Sequence, residues 1–319
     1  MPDDLVIRPL EAGETELFLS YSHAPVPLVG TEGGGRSYAE FVDTGQYRPE
    51  WSWVAVRGGA VVARAAWWGP PGADVPGALD WLDPGTGPDR VEVGAALLTA
   101  AQHRLGTHEY HLFLPPAWRE VPAAAQAAAD RLAVAERGGL TPFVERLNYR
   151  WTTGCPVPER STRVEFRPAD DGEVLAVLKR ILAGTLDAYS RRDVARLGLD
   201  KAADEQLAEL HWYPSPRDWW RLGYDHAGDV VGVVIPGRNH QMPVVGYVGV
   251  VPEQRGHGYA EDLLAEATLR LAGEPDGVIG ADTDVGNTPM AATFARAGYP
   301  VMRTRIVLSA PDISAPEPG

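Results

Sequence analysis

The two halves of the sequence repeat one order of apolar segments and turns, and this repeat limits the possible folds more than any other feature. The segment LVIRPLEAGE (residues 5–14) resembles RVEFRPADDGE (163–173), because both place Arg-Pro and an acidic turn after an apolar stretch. The segments WSWVAVRGGAVVARAAWW (51–68) and WWRLGYDHAGDVVGVVI (219–235) each surround a glycine-containing turn, which is typical of a β-hairpin. The matching order predicts two copies of one α/β unit.

A third match, near the end of each half, gives the expected domain boundaries. ADRLAVAERGGLTPFVERLNYRW (129–151) and ATFARAGYPVMRTRIVL (292–308) both contain an alanine-rich helix, a glycine that can end it, and strand residues. Gly154, Pro156 and Pro158 then interrupt the periodicity. We therefore expect a first domain over residues 1–153, a linker over 154–161, a second domain over 162–309 and a flexible tail over 310–319.

Composition and charge exclude several classes of protein. No apolar run approaches the roughly 20 residues that span a bilayer, and the acidic N-terminus lacks the pattern of a signal peptide. The net charge of −14 disfavours binding to nucleic-acid phosphates. The single cysteine, Cys155, excludes an intramolecular disulfide. We expect a cytoplasmic protein, monomeric or homodimeric, with no membrane or nucleic-acid partner.

The second half contains a strand, a glycine loop and a helix in direct succession. The strand is VVGYVGVV (244–251), whose apolar residues predict burial on both faces, and the helix is the amphipathic YAEDLLAEATLRLAG (259–273). The loop between them carries Gly256 and Gly258, which leave its amides unobstructed. Free amides at the electropositive start of a helix suit a diphosphate.

The loop Arg255-Gly256-His257-Gly258-Tyr259-Ala260 resembles the R-x-x-G-x-G/A signature of the Gcn5-related N-acetyltransferase (GNAT) family. It follows the typical VGVVPE, and it precedes a strand (VIGADTD, 278–284) and a helix that opens at Asn287 and ends in Arg-Ala-Gly-Tyr. The resemblance implies an α/β fold of two tandem GNAT-like domains. Each domain would be a mixed, mostly antiparallel, twisted sheet flanked by helices, with acetyl-CoA held where two central strands part.

The resemblance also implies which residues bind acetyl-CoA as co-substrate. Main-chain groups of one strand would pair with the pantetheine arm, amides of the loop would hold the diphosphate, and an asparagine would contact the pantetheine. In this chain these are Val248, Gly249 and Val250, then Arg255, Gly256, His257, Gly258, Tyr259 and Ala260, and finally Asn287.

The catalytic groups are less evident, because the chain departs from the family at one position. Phe294 stands where many members have a tyrosine that protonates the leaving thiolate. Tyr247 and Tyr299 are the nearest candidate acids, although a thiolate also leaves without one. Asp282 and Asp284, which alternate along one strand and share a face, are the leading candidate bases. Further candidate bases are Glu253, His257 and His240.

The first half lacks the same loop chemistry. At the corresponding place, PGTGPDRVEVGAALLTAAQHRLG (84–106) contains Pro88, which has no N–H, and Asp89, which adds a negative charge. We therefore predict a degenerate copy that binds no CoA. Its histidines, His103, His108 and His111, have no matching carboxylate or cysteine set, so we predict no metal site.

The leading functional hypothesis is an N-acetyltransferase that moves the acetyl group of acetyl-CoA to a primary amine of a small molecule by direct attack in a ternary complex. A non-catalytic CoA-binding sensor or scaffold is the main alternative, and Phe294 favours it. Protein N-acetylation and an enzyme similar to mycothiol synthase are two minor alternatives. The acceptor itself is expected to bind loops around residues 183–216.

Overall fold

The computed structural model describes residues 4–33, 35–239 and 241–311. His240 and most of the expected tail lie outside these described residues. In chain order the strands are β1 (Val6–Pro9), β2 (Ser52–Arg57), β3 (Ala60–Trp68), β4 (Ala78–Asp83), β5 (Glu109–Leu114), β6 (Thr141–Thr152), β7 (Glu165–Pro168), β8 (Arg221–Tyr224), β9 (Val230–Arg238), β10 (Pro243–Val250), β11 (Val278–Asp284) and β12 (Val301–Ser309). The α-helices are α1 (Thr15–Leu19), α2 (Gly30–Gly33), α3 (Tyr38–Asp43), α4 (Arg90–Leu105), α5 (Pro122–Arg137), α6 (Asp171–Leu182), α7 (Ala188–Leu197), α8 (Leu199–Leu210), α9 (Tyr259–Leu271) and α10 (Thr288–Arg296).

The chain divides into two compact units. Unit 1 combines the chain up to Glu145 with the segment from Arg303 onward, and unit 2 spans Arg146–Met302. The strands of unit 1 follow the order β1-β2-β3-β4-β5-β12, in which only the β4–β5 pair is parallel. Helices α4 and α5 pack on each other, and their apolar faces bury Trp53, Trp67 and Leu112.

Unit 2 repeats this arrangement. Its strands follow the order β6-β11-β10-β9-β8-β7, and only β10 and β11 pair in parallel. Helix α6 begins in a capping box, in which Asp170 and Glu173 bind each other's main-chain amides. The apolar face predicted for α9 is buried, including Leu263, Leu264 and Leu271. The mixed, mostly antiparallel strand order within each unit, together with the helices that flank it, confirms the predicted fold class.

The compact units differ from the expected domain boundaries because each sheet takes one strand from the other half of the sequence. Strand β12 pairs with β5, with Thr304 opposite Leu114, and therefore completes unit 1. Residues 146–152 of β6 pair with β11 over its whole length and therefore belong to unit 2. Matching segments end both repeats, so the pattern alone gives no sign of this exchange.

Two further expectations are wrong in detail. Strand β10 was expected to be buried on both faces, but residues 244–250 are only half-buried, because β11 pairs with β10 at a single position. The segment 183–216 was expected to be loops, and most of it forms the two helices α7 and α8. No helix within the described chain has both the length and the apolar character needed to cross a bilayer.

Candidate active site

Strands β10 and β11 part beyond a single paired position, and we call the space between them the groove. The two strands pair at Val244 and Gly280, and beyond this point they share no register. Gly246 is an extra residue in β10, at the register shift between Val245 and Tyr247. A side chain there would approach the carbonyl of Ile235 to 3.0 Å, so this bulge favours glycine. The bulge and the single pairing position leave one main-chain edge of β10 facing the groove.

The direction of the main chain decides which groups face that edge. The amide of Val251 donates to the carbonyl of Val231, so the main-chain N–H and C=O groups of Val251 point toward β9. Because main-chain groups alternate in direction along a strand, those of Gly249 also point toward β9. Val248 and Val250 therefore point toward the groove. Of the three residues expected to pair with pantetheine, two have main-chain groups with the required direction. The carbonyl of Val250 already accepts a hydrogen bond from Arg255 Nε at 3.3 Å.

The glycine loop leads directly into α9 and exposes its amides. Gly256 and Gly258 have φ of +84° and +79°, a conformation that costs other residues about 1–2 kcal/mol. Among the described residues, no side chain caps the start of α9. Across the described chain, the amides of residues 256–260 donate no hydrogen bond to a protein acceptor. A Cβ at Gly256 would meet nothing within 4 Å, so the cradle is open. These features fit a diphosphate.

Arg255 is exposed, and its side chain anchors the glycine loop to main-chain carbonyls. Its Nη1 donates to the carbonyl of Gly184 at 2.7 Å, and its Nη2 donates to the carbonyl of Ile181 at 3.2 Å. Ile181 lies in the last turn of α6, and Gly184 follows the end of this helix by two residues. The guanidinium therefore ties the loop, the end of β10 and the end of α6 together.

Arg163 is a second arginine beside the loop, and the sequence reasoning missed it. Its Nη1 donates to the carbonyl of His257 at 2.8 Å, and its Nη2 binds Asp262 at 2.6 Å. The guanidinium carbon lies 4.7 Å from the ring centroid of Tyr259. The only sequence signal was an arginine at the start of the second repeat, far from the loop in sequence.

A cluster of charges lies at the other wall of the groove, at the end of β11. Arg146 of β6 binds Asp282 at 2.6 Å, Asp284 at 3.5 Å and Asp187 at 3.6 Å. Both predicted aspartates thus meet on one face of the sheet. Asp284 also accepts the amide of Ala188 at 2.6 Å, which ties it to the start of α7. Sequence reasoning missed Arg146 because it assigned β6 to the first domain.

Burial sets the ionisation of this cluster. Burial raises the pKa of Asp284, and the charge of Asp187 raises it further, while Arg146 lowers it. Burial lowers the pKa of Arg146, but the three carboxylates outweigh it, so its pKa lies above the ordinary value. Asp284 is 2% exposed, whereas the Asp282 side chain is 33% exposed. Only Asp282 of the two candidate bases is therefore accessible to a ligand.

The aromatic candidates have different environments. Tyr299 is buried and its hydroxyl is 2.7 Å from the Thr268 hydroxyl, so we assign it to the core. Tyr247 is half-buried on β10, and burial followed by the charge of Asp187 raises its pKa. Phe294 is buried in α10 and stacks on Tyr149 with 4.4 Å between ring centroids.

The remaining candidates have structural partners of their own. Asn287 caps α10 by accepting the amide of Met290 at 3.4 Å. Glu253 is exposed and pairs with Arg180 at 3.3 Å, and the ring of His257 lies 3.3 Å from the carbonyl of Gln254. Among the described residues no three histidine, cysteine, aspartate or glutamate side chains form a possible metal site.

In unit 1, the space between β4 and β5, which corresponds to the groove of unit 2, is filled by other residues of the chain. Strands β4 and β5 pair only at Ala78 and Leu79 before they part, and α2 packs against both of them. From α2, the buried hydroxyl of Thr31 donates to the main-chain carbonyl of Asp80. The carboxylate of Asp80 pairs with Arg36 and accepts the hydroxyl of Tyr47 at 2.8 Å. These contacts occupy the space where β4 and β5 part, and a first copy that binds no CoA stays a prediction.

Comparisons with known proteins agree with this geometry. Residues 186–299 match the model of the Acetyltransferase (GNAT) family. A GCN5-related N-acetyltransferase from Sphaerobacter thermophilus is 16% identical, with 97% of this chain and 96% of that chain covered and a TM-score of 0.56. The glucosamine N-acetyltransferase region of a fungal multi-domain β-N-acetylglucosaminidase is 14% identical, with 97% of this chain and 38% of that chain covered and a TM-score of 0.54. A tandem GNAT protein from the clavulanic acid biosynthesis pathway is 18% identical, with 96% of this chain and 98% of that chain covered and a TM-score of 0.47. No curated protein matches the sequence.

The family match lies within unit 2, where it includes the groove strands β10 and β11 and the glycine loop. The fold shared with the Sphaerobacter enzyme extends over nearly the whole chain. Unit 2 therefore contains the segment that matches the GNAT family, and the chain as a whole shares the fold of a GCN5-related N-acetyltransferase.

Proposed function

We propose that unit 2 transfers the acetyl group of acetyl-CoA to a primary amine of a small molecule, by direct attack in a ternary complex. The observation that carries this proposal is the row of amides over residues 256–260, at the start of α9, which donate to no acceptor in the part of the chain that the structure describes. Such a row supplies several donors and a partial positive charge to one diphosphate. It does so in a chain whose net charge of −14 would otherwise repel the ligand.

The remaining parts of acetyl-CoA have matching groups nearby. The main-chain edge of β10 at Val248 and Val250 would pair with the amides of the pantetheine arm, as an added strand does. Asn287 would have only its side-chain amide nitrogen to offer, since its oxygen caps α10. Acetyl-CoA would supply a thioester, whose carbonyl carbon accepts the amine.

Residues that line the groove would accept the proton lost by the amine and donate a proton to the leaving sulfur. The amine nitrogen forms a bond to the carbonyl carbon, the carbon–sulfur bond breaks, and sulfur keeps its electron pair. Asp282 is the accessible carboxylate that would take the proton lost by the amine. Tyr247, which its raised pKa keeps protonated near neutral pH, would donate a proton to sulfur. We leave Asp284 and Tyr299 out of direct chemistry because both are buried.

A paired experiment tests the proposal. Calorimetric titration of the full chain with acetyl-CoA should give binding, and incubation with a panel of amines should release free CoA thiol only when an amine is present. No heat and no thermal stabilisation at millimolar acetyl-CoA would contradict the proposal. Binding without thiol release from any amine would favour the sensor or scaffold, for which the buried Phe294 is the supporting observation.

A further inference from the structure

Arg163 holds one peptide unit of the glycine loop in a fixed direction. Its Nη1 donates to the carbonyl of His257 at 2.8 Å. In a trans peptide unit the carbonyl and the following amide point in opposite directions, and the described residues include no cis peptide bond. Because the carbonyl of His257 points toward the guanidinium, the amide of Gly258 points away from it. This amide donates to no acceptor among the described residues, so it is available to a ligand.

The guanidinium itself is held from both ends of the residue. Its Nη2 binds Asp262 in the first turn of α9 at 2.6 Å, and its carbon lies 4.7 Å from the ring centroid of Tyr259. At the main chain, the hydroxyl of Ser161 accepts the amides of Arg163 and Val164 at 3.3 and 3.1 Å. A donor that is already held in place loses less conformational entropy when it binds its acceptor. The bond to the loop is therefore stronger than one from a mobile side chain.

The loop needs such a contact because its glycines allow the peptide unit to turn over. Gly256 and Gly258 flank His257, and both have positive φ. Glycine adopts positive and negative φ almost equally well, so the unit between His257 and Gly258 can reverse at low cost. The reversed unit would present the carbonyl oxygen of His257 in place of the amide of Gly258. A carbonyl oxygen carries partial negative charge and would repel a diphosphate, whereas an amide binds it.

We propose that Arg163 is a positioning residue for acetyl-CoA, which fixes the peptide unit between His257 and Gly258 so that the amide of Gly258 faces the diphosphate. The inference rests on the proposed function and adds a residue to its binding site. Arg163 acts through the loop and makes no contact with the ligand, and its ion pair with Asp262 offsets its charge. Loss of Arg163 should therefore weaken every ligand with the diphosphate by the same factor.

The amide of Gly258 can be observed alone, because His257-Gly258 is the only His-Gly pair in the sequence. In a full chain labelled with ¹³C at histidine carbonyls and ¹⁵N at glycine amides, an NMR experiment that correlates each carbonyl with the following amide gives one signal. In the wild type this signal should be single and should move when acetyl-CoA is added, since the amide gains an acceptor. In Arg163→Ala it should broaden or split, because the peptide unit samples both directions. A single sharp signal that responds to acetyl-CoA as in the wild type would overturn the inference.

Calorimetry measures the consequence for binding. Arg163→Ala should weaken the binding of CoA and of dephospho-CoA, which lacks the 3′-phosphate but keeps the diphosphate, at least tenfold and by the same factor. The matched control is Arg296→Ala, which also removes a positive charge from the first turn of α9, where Arg296 pairs with Glu261 at 2.5 Å. The hydrogen bonds of Arg296 go to Glu261 and Thr293, outside the loop, so this control should stay within threefold of the wild type.

The remaining outcomes separate the possible failures. The side chains of Arg163 and Arg296 are 45% and 55% exposed, so both variants should fold, which thermal melting checks. Equal affinities of the two variants would overturn the positioning role. A loss confined to CoA would overturn it as well, because Arg163 would then bind the 3′-phosphate directly. A wild type that binds no acetyl-CoA contradicts the acetyltransferase, whereas normal binding by the wild type and by Arg163→Ala contradicts the positioning role alone.

Discussion

The guanidinium of Arg255 donates to the carbonyl of Gly184 at 2.7 Å, and this contact joins the glycine loop to the segment that follows α6. Arg255→Ala removes it together with the bonds to Ile181 and Val250. We expect a loss of about 1–3 kcal/mol in the free energy of unfolding and at least tenfold weaker acetyl-CoA binding, because the loop loses its anchor. Chemical denaturation and calorimetry measure the two effects. Arg180→Ala, which removes only an exposed ion pair with Glu253, should change neither by much.

The loop glycines offer a test of the open cradle. Gly256→Ala places a Cβ beside the free amides and strains a residue with φ of +84°. The matched control is Gly228→Ala, in the turn between β8 and β9. It strains a residue with φ of +86°, and its added Cβ also meets nothing within 4 Å. Both variants should lose about 1–2 kcal/mol of stability, but only Gly256→Ala should weaken acetyl-CoA binding, by tenfold or more. Equal binding by the two variants would show that the loop holds no diphosphate.

One acetyl-CoA should bind per chain. Unit 1 fills its groove with α2, Thr31 and the Arg36–Asp80 pair, so only unit 2 should take the ligand. Calorimetry should give a stoichiometry near one, and Gly256→Ala should weaken the whole signal. A second site that survives this substitution would mean that unit 1 also binds CoA.

The sequence predicted the chemistry that lies along one stretch of chain and missed what depends on distant segments. The glycine loop, β11 and the buried face of α9 are contiguous, so spacing and periodicity predicted them. Arg146 could not be connected with Asp284, because their contact depends on an exchanged strand, which leaves no trace in local periodicity. The anchoring role of Arg255 was missed for the same reason, since the end of α6 lies far from it in sequence.

The raised pKa of Asp284 makes a prediction about pH. Folding raises the pKa of Asp284 above its ordinary value of 3.8, so the folded state favours the protonated carboxyl group. The wild type therefore loses stability as the pH rises through the raised pKa. Asn keeps the acceptor for Ala188 without the charge. Asp284→Asn should therefore be at least as stable as the wild type at pH 7.5, and its relative advantage should shrink below about pH 4. Urea denaturation at both pH values measures the difference, and a marked loss of stability at pH 7.5 would contradict this account.

In unit 1, Asp83 is the carboxylate that balances two arginines. It binds Arg64, which is 1% exposed, at 2.8 Å and Arg131 at 2.7 Å. Asp83→Asn leaves both guanidinium groups without its negative charge and should cost about 3–5 kcal/mol of unfolding free energy. Asp89→Asn, which breaks the exposed pair with Arg57, should cost less than about 1 kcal/mol. Similar losses from the two variants in guanidinium denaturation would show that the buried network contributes little.

Strand β12 completes unit 1 although it is encoded at the far end of the chain. During synthesis, residues 1–145 must therefore wait for β12 before all strands of unit 1 can pair, and until then one edge of β5 lacks its β12 partner. Such an edge readily pairs with other chains. A gene fragment cut at residue 153 should thus aggregate when translated alone, and adding the separate peptide 301–311 should rescue it.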